Sequence, residues 1–110
     1  MSGRSTHHLS IEVERGRNAA RLVVDGDLDR SSTGELRDIG IGLVDACEHV
    51  SVDVVAASVI DSAALGVLIE LHRAARAAGC RFDVTIGPAH QRTLFATTGL
   101  DDYIDLIQAP

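Results

Sequence analysis

The sequence contains no lysine and no tryptophan; all ten of its basic residues are arginine, and its aromatics are Phe82, Phe95 and Tyr103 alone. The missing amine excludes Schiff-base chemistry, the lysine of a phosphate-binding loop and the late-strand lysine of a phosphoaspartyl receiver domain. With so few aromatics, the core has to be assembled from Val, Leu, Ile and Ala. Such side chains suit interleaved strands and helices packed at close range. The formal net charge is −6 and the arginines are scattered. That argues against a nucleic-acid partner, because phosphate binding depends on clustered cations. There is no apolar run of about 18 residues, and "MSGRSTHHLS" lacks the apolar stretch of a secretion signal, so a cytoplasmic chain with no membrane partner is expected. The two cysteines, Cys47 and Cys80, have neither zinc-site spacing nor the density of a disulfide scaffold. Buried free thiols are expected, with a redox-active pair as the sharper alternative.

At 110 residues and 45% apolar content, the chain is sized for one folded domain. "HLSIEVERG" alternates Leu9, Ile11 and Val13 with polar residues, and "AARLVVDG" follows a short turn, which predicts a hairpin. In "DLDRSSTGELRDIGIGLVDAC", Ser32 and Glu35 have capping-box spacing ahead of a helical repeat of Leu36, Ile39, Leu43, Val44 and Cys47. "VSVDVVAASVI" is β-branched and nearly all apolar, predicting a central strand covered on both faces. Residues 62–78 form the strongest helix, closed by Gly79; "CRFDVTIG" is a strand, Pro88 opens a short helix stopped by Gly99, and "YIDLI" is a last, edge strand. The fold class is therefore α/β: a single domain over 8–107 with an N-terminal antiparallel hairpin, then parallel βαβ units in a mixed sheet with helices packed on it, preceded by a flexible segment at 1–7.

Winding residues 62–78 at 100° per residue puts Ala64, Val67, Leu68, Leu71, Ala74, Ala75 and Ala78 in one stripe that faces the core. The outer face carries Glu70, Arg73 and Arg76 lower down, but near its start it carries Leu65 and Ile69 beside Gly66 and Ser62. Either another segment covers this pair or it is a partner-binding patch. Asp61 and Ser62 are both able to cap the helix. A phosphate on Ser62 would place roughly −1.5 to −2 charges where helical N–H groups hold an anion. The fold then survives while the patch becomes strongly anionic.

"DGDLDRSSTGELRD", "VIDSAALGVLIELHRAARAAG" and "LFATTGLDDYIDL" together resemble the signature regions of the STAS domain, and most of all those of the bacterial anti-sigma factor antagonists, over about residues 8–107. The resemblance implies a protein that is not an enzyme and needs no cofactor of its own. Unphosphorylated, it would bind an anti-sigma factor with serine-kinase activity and so release a sigma factor; phosphorylation would end binding, and a serine phosphatase would restore it. The matching phosphoacceptor is Ser62, preceded by Asp61; Asp29 falls in the turn that aids partner recognition, and Leu65, Gly66 and Ile69 fall on the docking face. The family's second serine and its glycine are replaced by Ala63 and Ala64. This loss of a hydroxyl slightly favours the alternative, a non-phosphorylated STAS scaffold or accessory subunit of a transport or lipid-trafficking complex.

Rival readings fit less well. A metal-binding acid cluster at Asp25, Asp27 and Asp29 is weaker than a solvated turn. A hydrolase nucleophile elbow wants glycines two residues either side of its serine, where this chain has Ile60 and Ala64, and His72 lies almost three helical turns from Ser62. His7, His8, His49 and His90 are expected at the surface. "VDGDLD" and "TIGPAH" lack the glycine spacing of a phosphate loop.

Overall fold

The computed structural model describes residues 9–110; the expected flexible segment 1–7 lies outside them. The alternating N-terminal segment forms β1 (Leu9–Gly16) and β2 (Ala19–Leu28), paired antiparallel from Leu9↔Gly26 to Gly16↔Ala19. Asn18 closes the turn between them with φ of 56°, a left-handed conformation that asparagine adopts more readily than most residues. Then follow α1 (Thr33–Ala46), β3 (His49–Ile60), α2 (Ser62–Ala78), β4 (Arg81–Ile86), α3 (Ala89–Thr97) and β5 (Asp105–Gln108). The sheet order is β1-β2-β3-β4-β5, and every pair after the hairpin is parallel. Each element overlaps the segment the sequence assigns to it; β5, an edge, begins at Asp105, two residues after the start of "YIDLI". The turn of 3-10 helix at Leu100–Asp102 has no periodic signal and is not anticipated.

The sheet buries Leu22, Val24, Val50, Val52, Val54 and Val84 together with Leu36, Leu43 and Val44 of α1 and Leu68 and Leu71 of α2. α1 and α2 also pack on one another. A Cβ at Gly40 would fall 2.7 Å from a Leu71 methyl, so this glycine sets the close approach of the two helices. Arg37 of α1 pairs with Glu70 of α2 at 2.7 Å. Gln91 of α3, fully buried, donates to the Val54 carbonyl at 2.7 Å and accepts from the Gly87 N–H at 3.0 Å. One amide thereby fastens α3 to the middle of β3 and the end of β4.

The expectation that β3 is covered on both faces is corrected. Val50, Val52 and Val54 are buried, but His49, Ser51 and Asp53 on the alternate face are only half-buried. That face is a polar layer: Arg21 of β2 pairs with Asp53, and Asp83 of β4 accepts from Ser51 and bonds His49 at 2.6 Å. Aspartates and a serine within an apolar-looking run were the sign of a one-sided strand.

The topology also positions the loops. β2 and β3 stay paired to their last residues, Leu28↔Ile60, although the register shifts between Val23 and Asp25 and again between Gly26 and Asp27, each time with the extra residue in β3. Such bulges bend the strand end. The loop leaving β2 and the start of α2 therefore emerge side by side.

Candidate functional site

At this end of the sheet, Asp61 is the cap of α2. Its backbone is extended and its carboxylate accepts from the Ala64 N–H at 3.0 Å. The other carboxylate oxygen accepts from the Arg30 N–H, also at 3.0 Å, which ties the β2–α1 loop to the helix start. Because Asp61 performs the capping, Ser62 does not have to. Ser62 is exposed, and its hydroxyl makes no hydrogen bond among the described residues.

The loop is internally braced. The Asp29 carboxylate accepts from the Ser31 N–H at 3.0 Å and the Ser31 hydroxyl at 2.7 Å, an Asx-type turn. Ser32 donates to the Asp27 carbonyl at 2.7 Å and accepts from the Asp29 N–H at 3.0 Å. The capping box expected of Ser32 and Glu35 is accordingly not formed: Ser32 precedes α1 but makes no side-chain cap bond. Its oxygen serves the turn before the helix instead. Asp29, Arg30, Ser31 and Asp61 line a shallow depression next to Ser62. Arg30 and Ser31 were not singled out from the sequence. The Asp29-x-Ser31 spacing was a legible turn signal, whereas the Arg30–Asp61 tie spans 31 residues and has no local signature.

The docking face needs a larger correction. Leu65, expected on the outer face, is buried at 8% exposure, and Ile69 is half-buried against the core. The reason is that α2 rests on the sheet and on α1 as well, so the arc it buries is wider than a single stripe. At its far end the opposite holds: Ala74 is half-buried and Ala78 is exposed, because the last turn runs past the core. The outward stripe actually runs from Ser62 through Gly66 and along Ile69 and Glu70 to Arg73. Nothing lies within 4 Å of a Cβ placed on Gly66, so this glycine leaves the stripe flat.

Other chemistry-bearing groups lie apart from Ser62. His90 is exposed as expected, but His49 is half-buried in its bond to Asp83; His7 and His8 lie outside the described residues. Ser51 gives its proton to Asp83 and not to His49, so these three do not form a nucleophilic relay. His72 packs between Phe82 and Tyr103, and both of its ring nitrogens are buried without a hydrogen-bond partner among the described residues. Burial, and then Arg76 and Arg73, hold its pKa below the ordinary histidine value, against an opposing pull from Asp105. Cys47 and Cys80 are free, half-buried and buried respectively, at the opposite end of the sheet. Among the described residues, no group of three or more His, Cys, Asp or Glu side chains is placed to hold a metal ion, and no helix is long and apolar enough to cross a membrane.

The same fold occurs in solved structures. An anti-sigma factor antagonist from Mycobacterium paratuberculosis superposes with a TM-score of 0.82 at 20% identity, covering 93% of this chain and 87% of its own. The anti-sigma factor antagonist SpoIIAA in its unphosphorylated form gives 0.78 at 18% identity, with 92% and 89% covered. The Bacillus cell fate determinant SpoIIAA in its phosphorylated form gives 0.73 at 18%, with 92% of both chains covered. At these identities the likeness is one of fold. No curated protein matches the sequence significantly. The family profile described as "Mlab, STAS domain" matches residues 11–108, nearly the whole chain, and this α/β protein is a member of the STAS domain family.

Proposed function

We propose that this chain is an anti-sigma factor antagonist switched by phosphorylation of Ser62. Unphosphorylated, it binds an anti-sigma factor with serine-kinase activity and frees the sigma factor; the kinase phosphorylates Ser62 and binding ends; a serine phosphatase reverses the step. The observation that carries this reading is the division of labour between Asp61 and Ser62: the acid caps α2, and the hydroxyl stands exposed at the helix start. A neighbour in fold described in both unphosphorylated and phosphorylated forms is consistent with it.

The energetics suit a switch. A phosphate on Ser62 adds about −1.5 to −2 charges at the N-terminus of a 17-residue helix, whose free N–H groups and dipole tolerate an anion. The fold persists, while the rim that already holds Asp29 and Asp61 gains charge. A partner docking over Ser62, Gly66 and Ile69 would have to desolvate that charge. Each 1.4 kcal/mol of that cost weakens binding about tenfold.

The test is incubation with candidate anti-sigma kinases and ATP. Wild type is expected to take up one phosphate and Ser62→Ala none, and Ser62→Asp should bind the anti-sigma factor at least about tenfold more weakly than Ser62→Ala. Absence of phosphate uptake, with Ser62→Asp binding as tightly as Ser62→Ala, would sink this reading. Ala63 and Ala64 favour what then takes its place, a non-phosphorylated scaffold or accessory subunit of a transport or lipid-trafficking complex using the same stripe.

A further inference from the structure

The end of the sheet remote from Ser62 brings two distant cysteines together. Cys47 is the C-cap of α1, and Cys80 follows Gly79, the C-cap of α2. The two helices hand over to β3 and β4, which pair in parallel from His49↔Arg81 onward. One step earlier the Arg81 N–H donates to the Glu48 carbonyl at 2.8 Å. Cys47 and Cys80 are the residues immediately before this bonded pair. By the His49↔Arg81 register Cys80 stands opposite Glu48 and Cys47 is its diagonal neighbour. With strands about 4.8 Å apart and a rise of about 3.3 Å per residue, the two Cα atoms are roughly 6 Å apart, within the roughly 4.4–6.8 Å that a disulfide spans. Both side chains turn to the core side, Cys80 inside it and Cys47 packed against it. Burial, and then the electrostatic effect of nearby Cys47, raise the pKa of the Cys80 thiol, which donates to the Arg81 carbonyl at 3.4 Å in the reduced protein.

We propose that Cys47 and Cys80 are a modification site: a reversible intramolecular disulfide, formed by a peroxide, that clamps the C-terminal ends of α1 and α2. The proposal is independent of the role of Ser62. Cys47, half-buried, is the thiol that meets the oxidant; Cys80, buried and held protonated, is the resolving thiol. The Cys47 thiolate attacks one oxygen of hydrogen peroxide, forming an S–O bond as the O–O bond breaks, and the departing hydroxide takes a proton to leave as water. The sulfur is then a sulfenic acid, oxidised by two electrons. The Cys80 sulfur attacks it, the S–S bond forms as the S–O bond breaks, and the hydroxide leaves as water with the Cys80 proton. In sum, two thiols and one peroxide give one disulfide and two waters.

The test uses the reduced full chain and equimolar hydrogen peroxide. Free thiols should fall from two to none, and a non-reducing peptide map should show Cys47 joined to Cys80 in a monomer, reversed by dithiothreitol. In Cys80→Ser, Cys47 should be trapped by dimedone as the sulfenic acid. The oxidised protein should still melt cooperatively, with its midpoint raised by roughly 5 °C or more, since the bond restrains the unfolded chain. Intermolecular dimers, or Cys47 driven to the sulfinic acid beside an unmodified Cys80, would overturn the proposal. So would a bond formed only in denaturant, or an oxidised protein melting below the reduced one, because the native geometry would then not permit the link.

Discussion

The starts of α1 and α2 look alike in sequence, each with a serine and an acid ahead of an apolar repeat, yet the chain uses them in opposite ways. Before α1, Ser32 turns back into the loop, bonding the Asp27 carbonyl and the Asp29 N–H. Before α2, Asp61 points forward to Ala64 and sideways to Arg30, leaving the neighbouring serine unspent. A hydroxyl engaged in two hydrogen bonds is poorly available to a kinase, whereas an exposed one is available. The difference follows from β2 and β3 ending side by side, which puts a loop N–H within reach of the second cap but nothing comparable near the first.

The largest test of this contrast concerns how α2 is held beneath its start. Leu65→Asp puts a charge into the core and should cost about 3–5 kcal/mol, seen as a large fall in the urea midpoint. Little change would mean that Leu65 faces outward after all. Asp61→Ala removes the cap and the tie to the loop together. It should lower stability by about 1–2 kcal/mol and speed amide exchange at Arg30. Unaltered exchange at Arg30 would show that the two starts are not coupled.

A smaller pair of effects separates the loop role of Ser32 from a capping box. Ser32→Ala should cost about 1 kcal/mol through its lost turn bonds, while Glu35→Ala, exposed and outside that turn, stays within about 0.5 kcal/mol. Comparable losses in the two variants would restore the capping box. The smallest effect is the pH dependence from His72. Its folded pKa lies below the unfolded value, so the unfolded chain binds more protons between the two, and stability rises with pH through that window. The contribution is present above about pH 6.5 and is lost on acidification below it. The difference in melting temperature between wild type and His72→Phe should therefore shift with pH below 6.5 and be flat above it; a flat difference throughout removes His72 as a titrating group.

Local chemistry sufficed for much of this. Alternation placed β1 and β2, a β-branched apolar run placed β3, helical repeats placed α1 and α2, Pro88 marked the start of α3, and the glycine stops at 79 and 99, both at positive φ, closed α2 and α3. The acid–serine pair at 61–62 was readable because caps act over two to four residues, whereas Asp29 was named as a site residue through the resemblance to the STAS domain. Three decisions needed tertiary structure. That Leu65 is inside depends on α1 lying beside α2, that Asp61 reaches Arg30 depends on the shared ending of β2 and β3, and that Cys47 approaches Cys80 depends on the parallel start of β3 and β4. Sequence patterns report which way a side chain points from its own element. Which neighbour it meets is fixed only when elements tens of residues apart pack together.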